Sequence, residues 1–446
     1  MIASDVATVQ PAARLRGELR LPGDKSISHR ALLLATLAAG RSRISGSSDG
    51  ADVRSTAAAM RALGATVDVA PDDDGRNVVY RVASPGADLL DQPAATIDCG
   101  NSGTSLRLIA GMVAGLPMTV VLDGDASLRR RPVARIIEPL RRMGAVLRGR
   151  RDDSLPPLTV VGHTPLQGLD YETPVPSAQV KSAILLAGLL AEGRTTVRER
   201  VATRDHTERM LRARGVDVER ISTDHGVAST LEGGTRVQAI DQVVPADVSA
   251  AAFWLVAGSI HPDAELTLPS VGVNPTRRAV IDLLRQMGAD IDEQPVDPLI
   301  FPEIGEPIAD LTVRSSELHG IDLGPRDVAA AIDEIPVLCL AAARASGTTT
   351  IRGAGELRNK ESDRIAGIAA GLAALGAAIE VDGDDLRIHG GAPLSGGATD
   401  SLDDHRLAMT FAVAGLVGAG PTTIERPGSA AVSYPGFFAD LEGVRA

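Results

Sequence analysis

One pattern of apolar and polar positions recurs along the chain. A run with helical spacing ends at a glycine, and an alternating stretch rich in β-branched residues begins just after it. The copies are Met60-Arg-Ala-Leu-Gly64-Ala-Thr-Val67, Leu140-Arg-Arg-Met-Gly144-Ala-Val146, Leu211-Arg-Ala-Arg-Gly215-Val-Asp-Val218, Leu284-Arg-Gln-Met-Gly288-Ala-Asp-Ile291 and Leu372-Ala-Ala-Leu-Gly376-Ala-Ala-Ile379. A glycine one step past a helix supplies the left-handed backbone that closes the C-cap, and β-branched residues then favour a strand. The glycines are about 80, 71, 73 and 88 residues apart, too long a period for a solenoid repeat. It suits a unit of several strands and two helices, used about six times with one copy degraded. The pattern therefore predicts an α/β chain of repeated units.

Two features divide the chain further. The segment Gly233 to Asp247 has few helix signals, contains Pro245 and precedes the helical Val248 to Gly258, which predicts a domain junction. The acidic stretches Pro71-Asp-Asp-Asp-Gly75 and Asp382-Gly-Asp-Asp385 read as solvated turns between strands.

Composition narrows the function classes. With 446 residues, two large domains are easily accommodated, and 44% hydrophobic content supports a packed core. Only 2% is aromatic, so that core must be built from Leu, Val, Ile and Ala. A net charge of −12 argues against a general nucleic-acid or membrane-surface binder. Two cysteines, Cys99 and Cys339, make neither a disulfide framework nor a cysteine-based zinc site. No early segment has the pattern of a secretory signal, and the apolar runs Ala183 to Ala191 and Thr410 to Gly420 are too short to span a bilayer. A cytoplasmic protein is expected. Of the 45 basic residues only three, Lys25, Lys181 and Lys360, are lysines. A lysine kept on so arginine-rich a background points to a need for a compact ammonium.

Several motifs place cations at predicted helix starts. Pro22-Gly-Asp-Lys25-Ser-Ile-Ser-His-Arg30 leads into an apolar helix, with Ser26 and Arg30 on one face. Free N–H groups, a positive dipole end and these side chains together make an anion site. Asp98-Cys-Gly100-Asn-Ser-Gly103-Thr-Ser-Leu-Arg107 is a glycine-rich loop before a second apolar helix, without the Gly-Lys-Ser/Thr of a nucleotide loop. Cys99 within it has no histidine nearby in sequence and reads as a buried thiol. Arg129-Arg-Arg131-Pro132 stands before another helix and orients Arg131. Pro176-Ser177-Ala178-Gln179-Val-Lys181 has Ser177 as N-cap, with groups suited to sugar-like hydroxyls. Thr203-Arg-Asp-His206-Thr-Glu208 opens a further helix, and His206 has no metal-spaced partner, so no metal is expected.

The acid–base candidates lie later. Asp333 and Glu334, in Ala331-Ile-Asp-Glu-Ile-Pro336, stand in an apolar stretch that would resist their ionisation and so make a useful base. Arg358-Asn-Lys360-Glu361-Ser-Asp-Arg364 places Lys360 and Arg364 one turn apart with Glu361 between them. That is either a solvated salt-bridge ladder or an acid–base cluster. Asp403-Asp-His-Arg406 again sets a cation at the start of an apolar helix, and Ser429 to Phe438 adds Ser433 and Tyr434.

In this order, the motifs resemble the enolpyruvyl transferases, and within them the EPSP synthase (3-phosphoshikimate 1-carboxyvinyltransferase) family. The resemblance rests on Pro22 to Arg30, Gly100 to Thr104, Arg131-Pro132, Ser177-Ala-Gln179, Ile332 to Pro336, Lys360 to Arg364 and Asp404 to Met409, and runs from residue 22 to about 438. It implies a two-domain inverted α/β barrel with three strand-helix units per domain and ligands in the cleft. The domains would be 1–22 with 246–446, and 23–245. It implies transfer of the enolpyruvyl group of phosphoenolpyruvate to shikimate 3-phosphate, a step of the shikimate pathway towards chorismate and aromatic amino acids, with no cofactor, metal, nucleic acid or membrane, by a monomer.

The resemblance also assigns roles. Asp333 would be the base on the acceptor hydroxyl, Glu361 would handle the methylene proton, and Lys25 would assist. Lys25, Ser26, Arg30, Ser177, Ala178, Gln179, Thr203, Asp333 and Lys360 would hold shikimate 3-phosphate. Lys25, Gly103, Arg131, Gln179, Arg364 and Arg406 would hold phosphoenolpyruvate. Lys181 is left without a firm role. Some relatives carry a lysine in the final motif, where this chain reads Val432-Ser433-Tyr434-Pro435. Gly103 implies room for glyphosate, an inhibitor that occupies the phosphoenolpyruvate site.

Two alternatives remain. The transferase that acts on UDP-N-acetylglucosamine places a catalytic cysteine in the stretch where Ala110 to Arg131 has none, and uses Lys-Asn where this chain has Lys25-Ser26. A non-catalytic anion-binding repeat protein would not need Asp333 and Glu361 beside the cations.

Overall fold

The computed structural model describes residues 5–73, 75–296 and 305–445. Asp74, in the expected acidic turn, and residues 1–4, 297–304 and 446 of the expected first domain lie outside that description. The described residues form two bodies. One takes 5–22, 245–296 and 307–445, and the other takes 23–73 and 75–244 together with Gly305 and Glu306. The sequence places Pro245 in domain two and these last two residues in domain one, the reverse of the structure. Their side-chain and backbone partners explain the difference: Glu306 Oε1 meets His206 Nδ1 at 2.8 Å, and Arg209 Nη1 donates to the Gly305 carbonyl at 2.7 Å.

Each body repeats the same supersecondary unit: a short strand, a buried helix, a strand, an amphipathic helix and a hairpin. In the second body the sheets run Gln242–Val243, Gly40–Ser47, Val78–Ser84, Thr66–Pro71; then Ile97–Asp98, Thr119–Asp123, Leu155–Val161, Val146–Gly149; then Asp170–Glu172, Arg194–Glu199, Gly226–Glu232, Val218–Thr223. In all three the first pair is parallel and the other two are antiparallel. The first body has two sheets of this design. One joins Leu15–Glu18, Ala264–Gly272, Ile308–Arg314 and Asp290–Pro295, and the other joins Asp322–Leu323, Thr348–Ile351, Asp385–His389 and Ala378–Asp382. Its third sheet keeps only the parallel pair Gly397–Asp400 and Thr422–Glu425, and Val6–Val9 pairs antiparallel on its edge. This last unit is the degraded copy, because the N-terminal strand replaces its hairpin.

The repeated glycines do what their position predicts. Gly64, Gly144, Gly215, Gly288 and Gly376 have φ of +95°, +112°, +80°, +103° and +95°. A further signature repeats beside four of them. Arg61, Arg141, Arg212 and Arg285 donate to the carbonyls of Val67, Leu147, Val218 and Ile291 at 2.7, 3.2, 2.7 and 3.0 Å. Each arginine stands three residues before its glycine and stitches the last helical turn to the strand that follows. In the fifth copy that position is Ala373.

The first helix of every unit is sealed inside its body, which is why it reads as apolar on all sides. All of Val248–Ile260 is buried. Close packing of these helices needs glycine in places. A Cβ on Gly111 would lie 2.3 Å from the Ala183 carbonyl oxygen, so the helices Gly103–Ala114 and Ala178–Gly188 meet backbone to backbone. Each body has its own core of Leu, Val, Ile and Ala. The aromatic cluster Phe253, Trp254, Tyr434, Phe437 and Phe438 belongs to the first body.

Candidate active site

Burying a helix all round leaves its N-terminal end as the place where polar side chains can gather, and the motifs sit there. In five of these helices the cap side chain accepts a hydrogen bond from the first turn. Asp24 accepts from Ile27 N, Ser102 from Ser105 N, Ser177 from Val180 N, Asp247 from Ser249 N and Asp404 from Arg406 N. Each satisfies an N–H that the helix itself cannot, and the helix dipole adds positive potential at the same point.

In the second body, Lys25 is the first residue of the helix Lys25–Leu37, and its Nζ donates to Asp52 Oδ2 at 3.1 Å. Ser26 follows it, half-buried, and its carbonyl accepts from Arg30 Nη1 at 2.9 Å. Arg30 is buried. Its Nε donates to Thr207 Oγ1 at 2.7 Å and its Nη2 to Ser182 Oγ at 2.8 Å. Burial pushes its pKa down to about 10, against the opposing pull of Glu208 and Asp24, so it stays charged at neutral pH.

Gly103 opens the helix Gly103–Ala114. A Cβ there would meet Arg107 Nη1 at 2.8 Å and Arg131 Nη1 at 3.5 Å, which places Gly103 against two guanidinium groups. Arg107 Nη1 donates to Gln179 Oε1 at 2.6 Å, and Gln179 Nε2 donates to Thr104 Oγ1 at 2.9 Å. Arg131 Nη2 is bonded to Asn101 Oδ1 and reaches Ser127 Oγ at 3.3 Å. Ser177 caps the helix that Ala178 and Gln179 begin. Thus Gly103, Arg131 and Gln179 form one connected group around Arg107. Thr203 lies in the loop before His206–Ala213, with its hydroxyl on Glu199 Oε1.

The first body holds the acid–base candidates. Lys360 Nζ donates to Asp333 Oδ1 at 3.2 Å, and Arg364 Nη1 lies 3.6 Å from the same oxygen. Arg364 Nη2 donates to Glu361 Oε2 at 2.6 Å, and its Nε to Asp404 Oδ2 at 2.8 Å. One guanidinium therefore joins three carboxylates. Burial lowers its pKa, but Asp404, Glu361 and Asp333 outweigh that and raise it above the usual arginine value. Its buried Nη1 makes no hydrogen bond. Arg406 opens the helix His405–Val417, donates to the Ser249 carbonyl at 3.3 Å and lies 5.9 Å from the Phe253 ring centroid.

Two sequence expectations change. Asp333 and Glu334 are not in an apolar setting. Asp333 has its two cations, and Glu334, fully buried, accepts from Arg277 Nη1 at 3.0 Å and from Ser249 Oγ. The flanking apolar residues point into the core while these carboxylates meet cations brought from other elements. Lys360 and Arg364 are not one turn apart on a helix. Lys360 ends the 3₁₀ turn Gly355–Asn359, and the helix Arg364–Ala374 starts only at Arg364, because Asp363 caps it. As expected, Pro132 precedes its helix, which is Ala134–Arg142 with Val133 at the cap. Near the C-terminus, Tyr434 is a core residue whose hydroxyl donates to Asp440 Oδ2 at 2.6 Å. Cys99 and Cys339 are buried, with thiol pKa values pushed up to about 12, in Cys99 by burial and then by Asp98 and Asp123.

Sequence reasoning gave no role to Arg107 or Asp404. Arg107 stands four residues after Gly103, on the same helical face, and that spacing was the available signal. Asp404 caps the helix His405–Val417, and its grip on Arg364 depends on two elements forty residues apart in sequence.

The EPSP synthase (3-phosphoshikimate 1-carboxyvinyltransferase) family model matches residues 9–441. The chain belongs to the EPSP synthase family. The 3-phosphoshikimate 1-carboxyvinyltransferase of Gloeobacter violaceus is 51% identical over 98% of this chain and 98% of its own length. That of Halorhodospira halophila is 50% identical over 96% of this chain and 94% of its own length. Among solved structures, EPSP synthase from Acinetobacter baumannii superposes with a TM-score of 0.84 at 40% identity, covering 99% of this chain and 98% of that one. The enolpyruvyl transferase NikO from Streptomyces tendae shares the fold, with a TM-score of 0.77 at 21% identity over 98% and 97% of the two chains. The two-domain inverted α/β barrel is thus the architecture of the family and of this chain. No helix among the described residues is long and apolar enough to cross a membrane.

Proposed function

We infer that the protein transfers the enolpyruvyl group of phosphoenolpyruvate to the 5-hydroxyl of shikimate 3-phosphate, giving 5-enolpyruvylshikimate 3-phosphate and phosphate. The observation that carries this reading is the joining of Asp333, Lys360, Glu361 and Arg364 in a chain of this family. The reaction needs a proton acceptor for the hydroxyl, a proton donor for the methylene carbon and cations for two phosphates and two carboxylates.

In this reading Asp333 takes the hydroxyl proton as the oxygen attacks C2 of phosphoenolpyruvate. Glu361 delivers a proton to the methylene carbon, which becomes a methyl group in the tetrahedral adduct. The adduct then expels phosphate as the same methyl carbon returns a proton, and the double bond reforms. Glu361 thus gives a proton and takes one back, while Asp333 acts as the base on the hydroxyl, and both carboxyls are held by the cations Lys360 and Arg364. Lys25 assists transfer. Lys25, Ser26, Arg30, Ser177, Ala178, Gln179, Thr203 and Lys360 hold shikimate 3-phosphate. Lys25, Gly103, Arg131, Gln179, Arg364 and Arg406 hold phosphoenolpyruvate.

A cytoplasmic monomer, inhibited by glyphosate in competition with phosphoenolpyruvate, completes the reading. Phosphate release from phosphoenolpyruvate tests it, with shikimate 3-phosphate and UDP-N-acetylglucosamine offered separately. Release with shikimate 3-phosphate alone is expected. Release with UDP-N-acetylglucosamine alone, or with neither acceptor from folded protein, overturns it.

A further inference from the structure

Lys181 is the one lysine to which the reading above gives no task. It is completely buried. Its Nζ lies 2.8 Å from Glu199 Oε2, 2.9 Å from Glu208 Oε1 and 3.3 Å from the Thr203 carbonyl. Those acceptors come from three different places. Glu199 ends the strand Arg194–Glu199, Thr203 is in the loop that follows, and Glu208 is in the helix His206–Ala213. The lysine itself is in the helix Ala178–Gly188, which begins at Ala178 and Gln179.

The contacts continue outward to substrate candidates. Glu199 Oε1 accepts from the Thr203 hydroxyl. Ser182, next to Lys181, and Thr207, next to Glu208, bond each other at 2.7 Å and both accept from Arg30. One ammonium therefore sets the loop of Thr203 and the seat of Arg30. A lysine suits this task and an arginine does not. Three N–H bonds fan out from one small nitrogen towards acceptors in three directions, whereas a guanidinium offers a flat fork. The persistence of lysine here, in a chain where 45 basic residues include three lysines, then has a physical reason.

We propose that Lys181 is a positioning residue of the shikimate 3-phosphate site, holding Thr203 and the anchors of Arg30 through Glu199, Glu208 and the Thr203 carbonyl. The inference rests on the shikimate 3-phosphate reading. Lys181→Arg keeps the charge and loses the three-way geometry. In the full-length protein it should weaken shikimate 3-phosphate binding about tenfold, by direct titration and by KM, as expected when ligand groups are displaced by a fraction of an ångström. The KM for phosphoenolpyruvate and kcat should each change by less than about twofold. Glu199→Gln removes one acceptor and leaves Glu208 to Lys181. It should act in the same direction by about threefold, and it carries the test if Lys181→Arg does not fold. Circular dichroism and melting establish the fold of each variant.

A folded variant with unchanged affinity for shikimate 3-phosphate, or with both substrates weakened equally, overturns the proposal and leaves Lys181 a purely structural residue. Wild-type protein that neither binds shikimate 3-phosphate nor releases phosphate with it overturns the functional reading instead, so the two failures are told apart.

Discussion

The two bodies hold several of their cations differently, although Lys25 in the second meets the Asp52 carboxylate and Arg406 in the first meets the Ser249 carbonyl. In the second, hydroxyl and amide oxygens meet the guanidinium groups: Thr207 and Ser182 at Arg30, Gln179 at Arg107, Asn101 and Ser127 at Arg131. In the first, carboxylates meet them: Asp333 at Lys360, and Asp333, Glu361 and Asp404 at Arg364. A neutral partner orients a cation and leaves its charge to act on an anion. A carboxylate partner spends that charge locally and in return gains a fixed position and a stabilised anionic form. Under the proposed function, this difference divides the work: the second body would recognise anionic substrates, and the first would move protons as well as hold those substrates. The same units thus support two chemistries, because the unit fixes only where helix ends lie and not which side chains meet there.

Substitutions can break this contrast. The largest effect is expected for Asp333→Asn, which should lower kcat about 10²- to 10⁴-fold while shikimate 3-phosphate still binds. Arg30→Met in the second body should instead raise the KM for shikimate 3-phosphate, by about 10- to 100-fold, the scale of a lost charged hydrogen bond. If both variants change the same kinetic parameter, the division of work is wrong. Calorimetric or optical melting sharpens it at the level of packing. Gly111→Ala in the second body and Gly371→Ala in the first should each cost about 1–3 kcal/mol. The added Cβ at Gly111 meets a carbonyl at 2.3 Å, whereas at Gly371 it meets the Phe411 ring at 2.0 Å, and a ring can turn. Gly111→Ala should therefore be the more damaging.

Gly103→Ala is expected to do less to stability and more to binding. Its Cβ would press on the tip of Arg107, a flexible neighbour, so the fold should tolerate it. The KM for phosphoenolpyruvate and the glyphosate concentration for half inhibition should both rise, by about tenfold for an intruding methyl. Activity that survives saturating glyphosate at low phosphoenolpyruvate in the unsubstituted protein would show that the room inferred at Gly103 has no such use. The smallest effect concerns the thiols, one in each body. With pKa values pushed up to about 12, Cys99 and Cys339 should resist alkylation at neutral pH until the protein is unfolded. Rapid labelling of the native protein would contradict their burial.

Much of this was legible beforehand because it is local. Gly64, Gly144, Gly215, Gly288 and Gly376 announce themselves, since only a helix end followed by left-handed backbone requires glycine at that step. Ser177 as a cap and Arg406 at a helix start follow from the same local chemistry. Other features were not legible. Lys360 and Arg364 read as one helical turn apart because their spacing is four, and only the Asp363 cap shows where the helix begins. Asp333 looked isolated among apolar neighbours because its cations arrive from a segment nearly thirty residues away. Gly305 and Glu306 looked like part of the body they adjoin in sequence, and the partners that claim them, His206 and Arg209, lie about a hundred residues upstream.

By itself, then, the sequence determined the repeating unit, the helix ends and the order of motifs that mark the family. These depend on backbone preference and on polar groups a few residues apart. Tertiary structure alone decided which charges meet: that Lys181 serves two buried glutamates, that Arg364 joins three carboxylates, and that Arg107 links Gln179 to the glycine-rich loop. The physical reason is reach. Hydrogen bonds along the backbone are set by neighbours in the chain, whereas the strength of a buried ionic contact depends on distance and burial, which only packing between distant segments can establish.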